Sequence, residues 1–177
     1  MRTAPDMAAP PEAETVRFRE LMAGFPSGVA VVTTLDEAGR PLGLTCSSLC
    51  SVSLEPPLLL VCIANSSRTL GALEAHGLFA INLLHAHGRQ TARVFSSAPA
   101  ADRFQAVAWR PTTTARLPCL HEDAHSVAEC RLRTAHAAGD HTIVVGEVMS
   151  VLHLSAAVPL LYGLREYAVW PGTRKGE

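Results

Sequence analysis

The stretch Leu42 to Ala64 constrains the fold of this chain more than any other. Two strand-forming runs, Leu42–Leu54 and Leu58–Ala64, are separated only by Glu55-Pro56-Pro57. A corner this short makes the two runs antiparallel neighbours. Upstream, Val29–Leu35 (VAVVTTL) is dense in β-branched residues and predicts a buried strand. The turn Asp36-Glu37-Ala38-Gly39-Arg40-Pro41 joins it to the next run. The result is an antiparallel meander.

The flanking segments fit the same plan. Glu12–Phe25 predicts a helix, ended by Gly24, Pro26 and Gly28. Ser67–His76 predicts a short helix with Ser66 or Ser67 as N-cap and Gly77 at the C-cap. Leu78–Leu84 predicts a strand, Gly88–Phe95 a second short helix, and Ser96–Thr114 mostly loop. Strands are expected from Val127, over His141–Leu154 after the Ala138-Gly139-Asp140 turn, and over Leu160–Trp170. Six or seven strands and two or three short helices, with no regular βαβ alternation, point to a mainly β protein. A closed antiparallel barrel with helical insertions suits that pattern. One domain is expected over 12–171, between an N-terminal tail (1–11, with Pro5, Pro10 and Pro11) and a C-terminal tail (172–177).

Composition narrows the function. With 15 basic and 16 acidic residues the net charge is -1, and no basic cluster marks a nucleic-acid surface. No apolar run is long enough to span a bilayer, so no membrane role is expected. The N-terminus lacks the apolar core of a secretory signal. Five cysteines, Cys46, Cys50, Cys62, Cys119 and Cys130, form an odd set without CxxC. Free thiols in a reducing cytoplasm are the expectation.

Thr45, Cys46, Ser47, Ser48, Cys50, Ser51 and Ser53 crowd short polar groups onto one stretch. Small side chains let backbone and hydroxyl donors approach a flat polar ligand. The pattern alone is equally compatible with a solvent-facing strand. Asn65-Ser66-Ser67-Arg68-Thr69 opens a helix, where free N–H groups and the dipole favour an anion such as phosphate. An ordinary cap with a solvated arginine fits as well. His141, directly after a Gly-Asp turn, suits either a polar contact to a cofactor or a strand end. His121-Glu122-Asp123-Ala124-His125 matches H-E-x-x-H literally. That motif needs a helix to set both histidines on one face. Pro118 and the strand-like Cys130–Arg133 surround it, so it is treated as a chance match and no metal is assigned.

The ordered set of motifs carries a resemblance. Phe25-Pro26-Ser27-Gly28-Val29 is followed by Gly43-Leu44-Thr45-Cys46-Ser47-Ser48-Leu49 and Ser51-Val52-Ser53-Leu54-Glu55-Pro56-Pro57. Ser67-Arg68-Thr69, Phe79-Ala80-Ile81-Asn82-Leu83-Leu84, Asp102-Arg103-Phe104, Gly139-Asp140-His141 and Pro159-Leu160-Leu161-Tyr162 come next. Together they resemble the flavin reductase-like family with an FMN-binding split barrel. These are short-chain NAD(P)H:flavin oxidoreductase components of two-component monooxygenases. The resemblance implies a homodimeric split β-barrel using FMN or FAD with NADH or NADPH. Hydride passes from nicotinamide C4 to flavin N5, and a partner monooxygenase receives the reduced flavin. By motif, Thr45, Cys46, Ser47, Ser48, Leu49, Cys50 and Ser53 would line the isoalloxazine and ribityl chain. Cys62, Ile63 and Ala64 would flank the ring, and Ser67, Arg68 and Thr69 would take phosphate. His141 would sit by the nicotinamide as the catalytic residue. Gly163, Leu164, Arg165, Glu166 and Tyr167 would hold the pyridine nucleotide. Two departures stand out. Leu49 replaces a phenylalanine frequent in relatives, and Val94 separates Arg93 from Phe95. The cofactor contact on that helix is therefore assigned to Arg89 and Phe95. The rival readings are a flavin-binding protein without turnover and a flavoenzyme of this fold acting on an organic substrate.

Overall fold

The computed structural model describes residues 12–171. The two expected tails lie outside the described residues. Three helices, α1 (Glu12–Ala23), α2 (Arg68–His76) and α3 (Arg89–Ser97), accompany twelve strands. The strands are β1 (Ser27–Gly28), β2 (Ala30–Leu35), β3 (Pro41–Cys46), β4 (Cys50–Leu54), β5 (Pro57–Ala64) and β6 (Leu78–Leu84). They continue with β7 (Arg110–Pro111), β8 (Pro118–Cys119), β9 (Ala124–Ala138), β10 (His141–His153), β11 (Leu160–Gly163) and β12 (Glu166–Val169).

Seven strands form one antiparallel sheet in the order β3-β2-β6-β9-β10-β5-β4. Its two edges, β3 and β4, are consecutive in the chain. Only Ser47, Ser48 and Leu49 join them, a link that spans about 14 Å at most. The sheet must therefore curl until its edges meet. The interior confirms this: Cys46 of β3 and Val61 of β5 share one buried cluster with Val32, Phe79, Cys130 and Val144. The expected single strand Leu42–Leu54 is thus two strands on opposite edges of the sheet. Ser48 fastens the link between them. Its hydroxyl accepts from the Cys62 N–H at 2.9 Å and donates to the Cys62 carbonyl at 3.1 Å. One side chain thereby extends the β5 ladder past the end of β4.

β2 is buried on both faces. Ala30 and Val32 face the barrel interior, and Val29 and Val31 face a second cluster with Ala92, Phe95, Leu120 and Leu160. That outer cluster seats α3 against β3. A Cβ at Gly43 would lie 2.9 Å from the Phe95 ring, so only glycine admits the helix this closely. Buried Asn82 ties the 118–120 segment to the sheet. Its amide donates to Val31 O, and its carbonyl accepts from Leu120 N–H at 2.8 Å. Gly77 caps α2, its N–H bonding Leu73 O, as its position predicts.

Two elements depart from expectation. Leu160–Trp170 is a hairpin, β11 and β12, rather than one strand. Its turn residues Leu164 and Arg165 both have positive φ, 52° and 63°. Neither residue signals such a turn by type. β1 then adds to β11 to make a separate three-stranded sheet. α1 follows the expected span but buries none of its residues in this chain. Among the described residues no helix is long and apolar enough to cross a membrane.

Candidate active site

The Ser47–Leu49 link that closes the barrel also forms one wall of a cleft of about 810 Å³. Ser47, Ser48, Leu49 and Cys50 present short side chains on this wall. Phe18, Met22 and Phe25, from α1 and its C-terminal end, add apolar surface, and Arg19, Ala23, Ser27, Tyr162 and Arg165 complete the lining. Apolar side chains and hydroxyls thus line one cleft. β3 alternation divides the residues before the link. Cys46 points into the barrel, whereas the Thr45 hydroxyl points outward and donates to Ala92 O of α3 at 2.7 Å. Thr45, Ser47, Tyr162 and Tyr167 line a smaller adjoining pocket of about 210 Å³.

The β11–β12 hairpin is held to α3 beside this cleft. Arg89 Nη2 donates to the Tyr167 carbonyl at 2.8 Å. Tyr162 and Tyr167 pack with ring centroids 5.2 Å apart. Burial pushes the Tyr167 hydroxyl above its ordinary pKa, with the neighbouring Tyr162 adding to the rise. The hydroxyl is therefore a neutral donor at physiological pH. The turn reaches α1 as well, since Leu164 N–H donates to Ala23 O at 2.6 Å.

A second group gathers where β5 ends and β10 begins. His141 pairs across the sheet with Ala64. Asn65 ties this corner: its amide donates to Gly139 O at 3.1 Å, and its carbonyl accepts from the Thr142 hydroxyl at 2.8 Å. His141 Nδ1 lies 2.8 Å from the Asp140 carboxylate, which can only accept, so Nδ1–H is the donor. That bond, then the charge of the imidazolium form, holds the Asp140 carboxyl below its ordinary value. Nε2 of the half-exposed His141 remains the nitrogen turned to other partners. Asn65 thus positions His141 relative to the α2 entrance, a role that motif reading of the Asn65–Thr69 loop passed over.

The structure sorts the expected site residues. Thr45, Ser47, Ser48, Leu49, Cys50, Arg89, Arg165, Glu166 and Tyr167 share the cleft and its adjoining pockets. Tyr162 and the α1 residues join them unforeseen, because tyrosine in a strand reads as core. Gly163 and Leu164 belong to the same hairpin. Cys46, Ile63, Thr69 and Phe95 are buried. Phe95 stacks edge-on to Phe104 at 5.0 Å. Ser53 sits at the far end of β4, its hydroxyl accepting from Glu55 N–H. Ser67 flanks α2 without a side-chain cap bond. Arg68 lines a separate pocket of about 470 Å³ with Arg40, Leu42 and Trp109. Cys62 and Ala64 are half-buried on β5. Within one chain, Ser53, Arg68 and His141 are outside the lining of the main cleft.

The H-E-x-x-H match spans a turn, His121–Asp123, and the first residues of β9, so the helix that motif requires is absent. His85 occupies this region instead, donating Nε2–H to Glu122 O at 2.8 Å.

Comparison with known proteins gives a consistent picture. The family model described as "Flavin reductase like domain" matches residues 22–171. The flavin reductase (NADPH) of Lentzea aerocolonigenes is 53% identical over 152 residues, covering 86% of this chain and 88% of that protein. The flavin reductase (NADH) of Kitasatospora aureofaciens is 48% identical over 155 residues, covering 87% and 81%. Among solved structures, nitrilotriacetate monooxygenase component B from Mycobacterium thermoresistibile superposes with a TM-score of 0.84 at 30% identity, covering 93% of each chain.

Proposed function

This chain belongs to the flavin reductase-like family, and from that premise we infer that it is an NAD(P)H:flavin oxidoreductase delivering reduced flavin to a partner monooxygenase. The observation that carries the reading is the cleft itself. Short hydroxyl and thiol side chains from the Ser47–Cys50 segment share the cleft with apolar residues of α1 and with Arg19 and Arg165. That lining fits an isoalloxazine, whose faces are apolar and whose edge needs close donors. Thr45, Ser47, Ser48, Leu49 and Cys50 would hold the flavin, which supplies hydride acceptance when bound. The protein's own part is to seat two rings together and exclude water. His141, with Nδ1–H fixed by Asp140, serves as the polar orienting group for the nicotinamide through Nε2.

The homodimer belongs to the same reading. α1 leaves Phe18 and Leu21 more than 60% exposed, and Phe25 just beyond it is 68% exposed. A second subunit covering this face would also close the cleft, whose lining includes Phe18 and Phe25. The name of the relative that is a monooxygenase component supports an oxygenase partner. Five free cysteines support a reducing, cytoplasmic setting.

The test is oxidation of NADH or NADPH by the purified protein in air, with and without added FMN or FAD. Fast oxidation that depends on free flavin establishes a reductase that releases its product. Flavin binding without oxidation of either nucleotide refutes it.

A further inference from the structure

The two-residue loop between β9 and β10 carries Asp140 and delivers the chain to His141. Gly139 opens it with a φ of 65°, which suits a hairpin turn that needs glycine at its first position. The Asp140 side chain is 94% exposed and that of His141 46%, so packing does little to fix either one. Their direction is set by the turn backbone. Asn65 grips that backbone twice. Its main-chain N–H donates to Asp140 O at 3.0 Å, one step beyond the Ala64–His141 pair of the β5–β10 ladder. Its side-chain amide donates to Gly139 O at 3.1 Å. The amide carbonyl accepts from the buried Thr142 hydroxyl at 2.8 Å.

The chemistry of this clasp calls for an amide. The Gly139 carbonyl can only accept, and the Thr142 hydroxyl is placed to donate, so the group between them must donate and accept at once. An aliphatic or carboxylate side chain at position 65 loses one contact or both. The corner also lies near the cleft. The hydrogen bond from His141 is the main hold on the Asp140 carboxyl, and Arg19, a residue of the cleft lining, adds a smaller pull. Resting on the reading of His141 as the polar group that orients the nicotinamide, we propose that Asn65 is a positioning residue for hydride transfer, acting through the Asp140–His141 pair. The clasp keeps Nδ1–H on Asp140 and holds Nε2 in one direction. Asn65 acts without touching the nicotinamide.

The experiment is stopped-flow reduction of protein loaded with FMN or FAD by NADH or NADPH, in wild type, N65A, H141A and the double variant. N65D is a second probe: its carboxylate still accepts from Thr142 but has no proton for Gly139 O. Thermal melts confirm that the variants are folded. N65A and N65D are each expected to slow hydride transfer about tenfold at saturating nucleotide. Flavin affinity is expected to stay within about twofold of wild type. The double variant is expected to be no slower than H141A, because the clasp then has nothing left to orient. A purely structural role would instead slow H141A further by the N65A factor. That additive result, wild-type rates in either folded Asn65 variant, or a loss confined to flavin binding overturns the proposal. If H141A is slow while the double variant is additive, the reading of His141 stands and only the role of Asn65 fails. Unchanged reduction in H141A overturns the reading of His141 and the positioning role with it. No reduction of either flavin by either nucleotide in wild type overturns the reductase reading.

Discussion

Cysteine chemistry separates the site from the core residue by residue. Burial pushes Cys130 up to about 12, with the nearby Glu129 carboxylate adding to the rise, and burial also raises Cys46 and Cys119. Cys50 is exposed on the cleft wall. Under native conditions a thiol reagent is expected to modify Cys50 first, spare Cys46, Cys119 and Cys130, and block flavin binding; excess FMN should protect. Rapid reaction of all five thiols would contradict the fold. His141→Ala is expected to slow reduction or weaken NADH binding about tenfold while flavin affinity changes less. Stopped-flow reduction traces read the two effects separately.

Buried Glu129 ties the 112–115 loop to β10. Burial acts to raise its pKa, but donors from Ser150, Thr112 and the Ala115 N–H outweigh it and hold the carboxyl below its ordinary value. A depressed folded-state pKa gives stability that is present above the unfolded value, about 4.3. It is lost as pH falls through the lower folded value. Glu129→Gln is expected to cost about 2 kcal/mol at pH 7 and to flatten the acid side of the stability curve. Urea midpoints at pH 7 and pH 4 measure both.

At the scale of elements, the β9–β10 ribbon depends on a close approach. A Cβ at Gly146 would lie 2.4 Å from Phe79 Cζ, and that ring is fully buried in the barrel. The ring has nowhere to move, so Gly146→Ala is expected to destabilise by about 1–3 kcal/mol, measured by chemical unfolding. The hairpin turn behaves oppositely. L164N with R165G replaces two strained positions by residues that accept positive φ, and a higher melting temperature is expected.

For the whole molecule, closure rests on the Ser47–Leu49 link and its clasp on Cys62. Ser48→Ala removes a hydroxyl that bonds both backbone groups of Cys62. A loss of about 1–2 kcal/mol is expected, with weaker flavin binding, because the same link forms the cleft wall. Sedimentation of wild type against Leu21→Asp tests the dimer: a dimer that survives the substitution excludes the α1 face.

The sequence by itself determined the strand-rich class, the β2–β3 meander, the α2 boundaries and the small-residue wall. These depend on β-branched runs, cap residues and turn residues that act within a few positions. The family resemblance rested on the order of those same local motifs. Only the tertiary structure decided that Leu42–Leu54 divides between opposite sheet edges, because closure is set by long-range pairing. It also folded Leu160–Trp170 into a hairpin through two residues with no intrinsic preference for positive φ, and β1 pairs with that hairpin. Ile63 shows the same division: alternation assigns two faces to a strand, but only packing decides which face is buried in the barrel.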